Sequence, residues 1–382
     1  MRRIAGICRL VRNLALEQRK VWGKRHKITA VNQCNELKAL KADFPWIAEA
    51  PHHCLQQAIR DVDGAFNAFF KGTAGFPKFK KRGSRDGFRY PDPKQFRWQE
   101  DAIFLPKLGH VPWKMHRDVI DRAKTATVSM EGDWWFVSIS VEQEVEEPTR
   151  SSGPAIGIDM GVATPIVLSD GQSLDLPKLC NRQRRRLKAL GQSLSRKKKG
   201  SRNRERARRK LAHYQAHLAR RRLDMAHRAA AIVARNYAHV AMEHLKLRNM
   251  TASAAGTVEE PGRNVRAKSG LNRVLLDVAP FQFRTVLQDK LERSGGTLTL
   301  VDPRNTSRTC SACGHVAAEN RESQAVFSCV SCGHTAHADV NAAINIKNRA
   351  FGTGTGGPPG MACGSNRTGG RKQERSAISL AA

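Results

Sequence analysis

Four cysteines spaced C-x2-C-x15-C-x2-C, namely Cys310, Cys313, Cys329 and Cys332, constrain this chain more than any other feature it carries. Thiolates that return in closely spaced pairs can wrap one tetrahedral ion, and each pair here runs on into Gly-His, where the glycine permits a tight turn around the metal. The expectation is a structural Zn2+ held by four sulfurs. Four sulfur ligands leave no open position for a reacting water, so the chemistry of the chain has to be sought elsewhere. His315 and His334 read as turn residues rather than ligands. Cys8, Cys34, Cys54, Cys180 and Cys363 are scattered and read as ordinary thiols. In a long chain they do not suggest a disulfide scaffold.

Seven residues past the last of the four, Asp339 stands at the mouth of "HTAHADVNAAINI", residues 334–346. A carboxylate there is an ordinary helix cap, because it accepts the free N–H groups of the first turn and suits the positive end of the dipole. Asp339 also shares the i, i+3, i+4, i+7 stripe of Ala342, Ala343 and Ile346, the face a helix turns to a core, and a cap has no need to point inward. Two further acids end apolar runs: Asp159 closes "AIGID" and Glu243 closes "HVAME". Each has an ordinary reading taken alone, as a turn residue or a solvent-facing group. Together they are what a two-metal site asks for, since Mg2+ takes oxygen ligands and two ions about 4 Å apart need shared and flanking carboxylates. The three acids are 84 and 96 residues apart, so only a fold can bring them together.

Charge names the class of partner. The 382 residues include 66 Lys and Arg against 34 Asp and Glu, a net charge of +32 that calls for a polyanion. A basic membrane-surface protein is the rival, but no apolar run of about 18 residues is present to span a bilayer. The basic start "MRRIAGICRLVRNLALEQRK" is interrupted by charge too often to be a secretory signal. The expected location is the cytoplasm, with no membrane partner. Between Lys178 and Arg222 there are nineteen Lys and Arg and one acid, Glu205, a local charge of +18 that is more than half of the total excess. A charge run is often a solvated face, yet this many like charges would repel one another in a compact fold unless an anionic surface neutralises them. Contacts to nucleic acid are expected from Arg184, Arg185, Lys197, Lys198, Arg204, Arg208, Arg209 and Arg221. Such contacts are made largely to phosphate, so they are salt-dependent and indifferent to base sequence.

Along the chain, residues 1–80 carry apolar positions at helical spacing, among them Leu10, Leu14, Leu55, Ile59 and Val62. A basic, Gly- and Pro-rich connector follows, with Phe76, Phe79, Phe88 and Tyr90 interleaved; these aromatics either anchor the loop or stack bases. Strand-like runs fill residues 96–147, ending in a hairpin that turns at Glu131, Gly132 and Asp133, and a small β-barrel or sandwich fits them. After the linker "EEPTRSSGP" come a strand pair around Asp159, helical stretches at 178–198 and 202–236, the strand "HVAMEHL" and a polar loop at 249–270. A helix from about 271 to 293, which Pro280 should kink, precedes the strand "TLTLV". Past Phe351 there are eight glycines in nineteen residues, a composition that predicts a disordered tail.

"GIDMGV", "VAMEHL", "NTSRTCSACGH", "FSCVSCGHTAHADVNAAINI" and "GMACGSNRTGG" resemble TnpB, the RNA-guided nuclease of small bacterial transposons and a relative of type V CRISPR effectors, over about Gly6 to Gly370. The resemblance implies an α/β, RuvC/RNase H-like nuclease domain with an inserted zinc ribbon, preceded by a helical lobe and a small β-barrel. It implies a helical recognition lobe at 1–85, a wedge-like β-barrel at 86–150, the first part of the RuvC-like domain at 151–305, the ribbon at 306–336 and the last RuvC-like helix at 337–351. A tail at 352–382 completes this division. It further implies Asp159, Glu243 and Asp339 as catalytic acids holding two Mg2+ for phosphodiester hydrolysis, with guide RNA and target DNA as partners and the bacterial nucleoid as the place of action. Family members usually begin with one more barrel strand, ending in Tyr-Pro-Thr, ahead of the segment resembling "GICRLVRNLALEQRKVW". This chain starts almost at that segment, and a barrel lacking that strand would hold unpaired backbone groups. The leading expectation is an RNA-guided DNA endonuclease. A non-cleaving RNA-guided DNA binder, a transposase performing strand transfer and a zinc-ribbon RNA-binding protein without enzymatic activity are the alternatives.

Overall fold

The computed structural model describes residues 1–23, 26–83, 86–119, 122–144, 146–149, 152–176 and 178–352, and the backbone of 374–376. Two compact units divide the chain, one taking in residues 1–145, 198–213 and 369–382, the other 146–197 and 214–368.

In the first unit, α1 (Arg2–Trp22), α2 (Ala30–Asp43) and α3 (His52–Phe70) pack through apolar stripes. Ile4, Ile7, Cys8, Val11, Ala15 and Leu16 of α1 are buried, as are Leu55, Ala58, Ile59 and Val62 of α3, the i, i+3, i+4 pattern expected of a helix with one face on a core. Thr29 caps α2 by accepting the Asn32 N–H at 3.2 Å. Strands β1 (Gly87–Tyr90), β5 (Arg122–Glu131) and β6 (Trp134–Glu142) pair antiparallel, and β14 (Glu374–Ser376) extends β6. Alternation puts Phe88, Tyr90, Ala126, Val128, Val137 and Ile139 on the buried face. The register sets Phe88 opposite Val128 and Val128 opposite Val137. Gly132, at φ +65, makes the tight turn of the β5–β6 hairpin. Strands β2 (Arg97–Trp98), β3 (Ala102–Leu105) and β4 (Gly109–Pro112) form a separate three-stranded sheet.

This topology corrects the expected β-barrel. Closure needs hydrogen bonds from the last strand back to the first, and among the described residues the two sheets share no ladder and neither closes on itself. Strand β1 packs against α1 and α3 instead, and the buried residues of β1, β5 and β6 share one core with those helices, so the sheet has no need to curl to bury its apolar face. The strand runs were legible as strands, but their partition into two open sheets is a long-range pairing choice that local alternation does not encode.

In the second unit, a five-stranded sheet has the order β11-β10-β7-β8-β9, from β7 (Ala155–Asp159), β8 (Ile166–Leu168), β9 (Ser173–Leu174), β10 (His239–Glu243) and β11 (Thr297–Val301). Strands β7, β10 and β11 run parallel, while β8 and β9 continue the sheet antiparallel. One face carries α5 (Arg202–Asn236) and α8 (Pro280–Arg293), burying Ala226, Ala229, Ala230, Val233, Phe283, Leu287 and Leu291 against Ile156, Ile158, Val240 and Met242. Only residues 214–236 of α5 belong to this unit. The basic helix α4 (Asn181–Ser195), the short α6 (Leu247–Met250) and α7 (Val265–Val278) complete this part. The expected kink at Pro280 is a full break: Ala279 adopts a left-handed φ of +51, and Pro280 opens α8 at a position where its missing N–H is not needed. On the sheet's other face lies α9 (Ala338–Phe351). It comes so close to β7 that a Cβ at Gly157 would sit 2.0 Å from the Ala343 carbonyl oxygen. Strands β12 (Val326–Ser328) and β13 (Thr335–His337) form a hairpin in the segment between β11 and α9. No described helix is long and apolar enough to cross a membrane. The expectation of a disordered tail falls mostly on residues 353–373 and 377–382, which lie outside the described residues.

Candidate active site and four-cysteine centre

The four cysteines meet. Their sulfurs all lie within 4.8 Å of one another, with Cys310 to Cys332 at 3.7 Å and Cys313 to Cys329 at 3.6 Å. A disulfide would place two sulfurs about 2.05 Å apart, whereas four ligands about 2.3 Å from one tetrahedral ion stand about 3.8 Å from each other, so the observed spacing suits a shared metal. The two knuckles repeat the same bonds. Cys310 N–H donates to the His315 carbonyl and Gly314 N–H to the Cys310 carbonyl, while Cys329 N–H donates to His334 and Gly333 N–H to Cys329, each at 2.9 Å. Gly314 and Gly333 have φ of +78 and +67, so glycine is what each turn requires. His315 and His334 contribute these carbonyls to the turns. N–H groups of Cys332 and Ser331 directed at the Cys329 sulfur bring its pKa down to about 6, favouring a thiolate. The fully buried Asn320 ties the knuckles together, donating to the carbonyls of Arg308 and His315 and accepting the N–H of Val330.

The three acids come together on the sheet. Asp159 is the last residue of β7 and Glu243 the last of β10, its parallel neighbour, so both stand at the carboxyl end of the sheet. Asp339 lies in the first turn of α9, whose approach at Gly157 sets it on the same strands, and it is 7% exposed. The cap of α9 is not Asp339 but His337, whose Nδ1 accepts the Asp339 N–H at 3.3 Å. That leaves the Asp339 carboxylate free of capping duty, on the inward stripe with the buried Ala342, Ala343 and Ile346. The carboxylates are less tightly gathered than the sulfurs; among the described residues the four cysteines alone form a ligand group of that compactness.

Electrostatics nonetheless joins the acids. Burial, and then the like charges of Glu243 and Asp339, push the Asp159 carboxyl up to about 7. Burial also raises Glu243, opposed by the Thr306 hydroxyl that donates to Glu243 Oε1 and by the charge of Arg349. Arg321 Nη2 stands 3.3 Å from Asp339 Oδ1, and its charge also pulls Asp159 downward. An excess of half-buried negative charge on oxygen donors, only partly offset by the guanidiniums of Arg321 and Arg349, suits hard divalent cations.

Several of these partners were not foreseen. Thr306 carries its hydroxyl from the start of the cysteine segment to Glu243. Asn341 and Asn345 of α9 hold that same segment, donating to the carbonyls of Thr306 and Thr309 at 2.7–2.9 Å. The asparagines carried a faint signal, being polar and four apart on a helix with an inward face. Arg321 carried none, since its approach to Asp339 depends on how the insertion folds back.

The expected nucleic-acid contacts have varied settings. Arg185, Lys198 and Arg221 are exposed. Arg208 pairs with Glu205 at 2.7 Å, and Arg209 lies 3.4 Å from Glu205 and 3.6 Å from Asp133. Arg184 is half-buried and lends its charge to the buried Asp277. Lys197 and Arg204 are half-buried as well.

Two family models match this chain: "Probable transposase" over residues 138–254 and "Cas12f1-like, TNB domain" over residues 281–346. The chain is 40% identical over 351 residues to the "Putative RNA-guided DNA endonuclease InsQ" of Escherichia coli (strain K12), covering 91% of this chain and 87% of that one. It is 30% identical over 355 residues to a "Putative RNA-guided DNA endonuclease" of Streptomyces pristinaespiralis, covering 90% and 84%. Among solved structures, a Cas12f1 in complex with single-guide RNA and target DNA superposes with a TM-score of 0.52 at 16% identity, covering 91% of this chain and 82% of that one, a likeness of fold. With such similarity running through nine-tenths of its length, the chain belongs to the TnpB/OrfB family of transposon-encoded nucleases, related to the Cas12f-type effectors.

Proposed function

We propose that the chain is an RNA-guided DNA endonuclease in which Asp159, Glu243 and Asp339 provide the carboxylates for two catalytic Mg2+ and the four cysteines hold a structural Zn2+. The observation that carries this reading is that two remote acids end neighbouring parallel strands and a third lies in the first turn of the helix packed on those strands, with the charges of Glu243 and Asp339 both acting on Asp159. Divalent ions bound there would supply an activated water and neutralise charge on the leaving 3′-oxygen. The side chains have separable tasks. Asp159 is the acid most relieved by a cation, because it is buried and repelled by both of the other two acids. Glu243 is oriented by the Thr306 hydroxyl, and Asp339 is fixed by the first turn of α9. Zinc bound by four thiolates has no open position, so its task is to brace the segment that carries Thr306 and Arg321.

Guide RNA and target DNA are the polyanions that the net charge of +32 requires. Exposed Arg185, Lys198 and Arg221 contact phosphates directly, whereas Arg208 and Arg209 act only after exchanging carboxylate partners for phosphate. Base pairing with the guide supplies sequence choice, since such contacts read no bases. The test is cleavage of matched and mismatched DNA by the protein copurified with its RNA, in Mg2+. Cutting of matched DNA alone, lost in Asp159→Ala with DNA binding retained, is expected. Binding without cutting by the unaltered protein would make it a guided binder, and joined products would make it a strand-transfer enzyme.

A further inference from the structure

The cleft that contains Glu243 also contains an aromatic ring. Met160, Met242, Glu243, Leu245, Phe281 and Arg284 line it, so its apolar floor adjoins both Asp159 and Glu243 along the chain. Phe281 arrives there because the left-handed Ala279 and Pro280 redirect the backbone, placing it in the first turn of α8. Arg284 follows three residues later, a spacing that brings two helical side chains to one face. The core face of α8 is occupied by Phe283, Val286, Leu287 and Leu291, which leaves Phe281 at the rim, 59% exposed.

A single exposed phenylalanine is unremarkable in a folded protein. Here three features coincide. The Arg284 guanidinium lies 5.0 Å from the centroid of the Phe281 ring. Among the described residues no carboxylate stands within ion-pair distance of Arg284, so its charge is available. Both side chains line the same cleft as the proposed catalytic Glu243. An exposed ring beside an uncompensated cation matches the two parts of a nucleotide, since every base has a face that stacks and every linkage an anionic phosphate. The cleft encloses only about 20 Å3, room for about one water, so a base would lie on the ring at the rim rather than enter.

We propose that Phe281 and Arg284 form a nucleotide platform beside the acid site, Phe281 stacking one base of the single-stranded DNA to be cut and Arg284 holding an adjacent phosphate. This rests on the nuclease reading and deepens it: the two are positioning residues that set which linkage lies over Glu243. Stacking tolerates every base, so the platform adds grip without sequence preference and does not compete with the guide.

The test uses the guide-loaded protein in Mg2+ and matched DNA carrying an abasic site at successive positions around the cut. Phe281→Ala should slow cleavage about 10-fold, the effect of losing one stacked base, and Phe281→Trp should restore it. One abasic position should slow the unaltered protein by a similar factor and leave Phe281→Ala no slower still. Arg284→Gln should lower the slope of log affinity for single-stranded DNA against log salt by about 0.7, the share of one phosphate contact. Cleavage by Phe281→Ala at the unaltered rate, or equal sensitivity of both proteins to every abasic site, would overturn the platform while leaving the nuclease intact. Failure of the unaltered complex to cut any matched DNA would remove the nuclease reading and the platform with it.

Discussion

Arg321 and Asp339 face each other at 3.3 Å, joining the cysteine-bound segment to the inward acid of α9. The same guanidinium acts on Asp159, so it occupies, in electrostatic effect, part of the place a divalent cation would take. A fixed positive charge acting on two of the three carboxylates opposes metal loading. Arg321→Gln should therefore bind Mn2+ on the order of 10-fold more tightly in the zinc-loaded protein without nucleic acid, read by electron paramagnetic resonance of free Mn2+. Unchanged or weaker Mn2+ binding would mean that Arg321 does not compete for these oxygens.

Asp159 sets a pH dependence of stability in the Mg2+-free protein. Its carboxyl moves from an ordinary 3.8 to about 7, so the folded state holds the proton more tightly than the unfolded chain does. The resulting stabilisation is fully present below pH 3.8 and is lost as pH rises through about 7. The full shift corresponds to on the order of 4 kcal/mol. Melting temperature should therefore fall as pH rises from 3.8 to about 7, the interval in which only the folded chain holds this proton, and Asp159→Asn should flatten that fall and melt higher than the unaltered chain above it. Glu243, raised in the same direction, will leave a residual slope. Parallel melting curves for the two proteins would contradict the proximity of the acids.

The four-sulfur centre should report on the acid site at a distance. Thr306, which donates to Glu243, and Arg321, which pairs with Asp339, both belong to the segment that the knuckles and Asn320 organise. Cys313→Ser should lower the bound zinc measured by elemental analysis and reduce cleavage at least 10-fold (roughly 1.4 kcal/mol of lost positioning), although no sulfur touches the acids. Full cleavage by a zinc-free protein would show that the segment needs no metal to hold these two side chains.

What the sequence made legible follows the range of the interactions. The knuckles were readable because glycine, cysteine spacing and turn geometry are local, and the strands ending at Asp159 and Glu243 were readable because short apolar runs bounded by polar residues are local too. The partition of the strand run into two open sheets was not, because alternation tells which residues face inward but not which strand lies beside which. Pro280 announced an interruption, yet only the backbone of Ala279 shows that the chain breaks into two helices there. His337 as the cap of α9 was hidden behind the more obvious Asp339, since an imidazole nitrogen accepts an N–H as a carboxylate does but is seldom chosen for it. Arg321 and Thr306 reach the acids through tertiary folding alone.

Gly157 offers the most direct check on how Asp339 is placed. A Cβ there would lie 2.0 Å from the Ala343 carbonyl oxygen and 2.7 Å from the Lys347 N, both backbone atoms of α9, so the helix would have to move away from β7. Forcing extra volume into such a contact costs about 1–3 kcal/mol or more, and the movement carries Asp339 away from Asp159 and Glu243. Gly191, on the surface of α4, has nothing within 4 Å of the same added atom. There Gly191→Ala removes backbone freedom from the unfolded chain and should stabilise by about 0.5–1 kcal/mol. The pair separates two effects of one chemical change: Gly157→Ala should lower the melting temperature and abolish metal-dependent cleavage, while Gly191→Ala should melt slightly higher and cut normally. A Gly157→Ala protein that melts and cuts like the unaltered chain would show that α9 does not rest on β7 at this distance, and the placement of Asp339 beside the other two acids would fall with it.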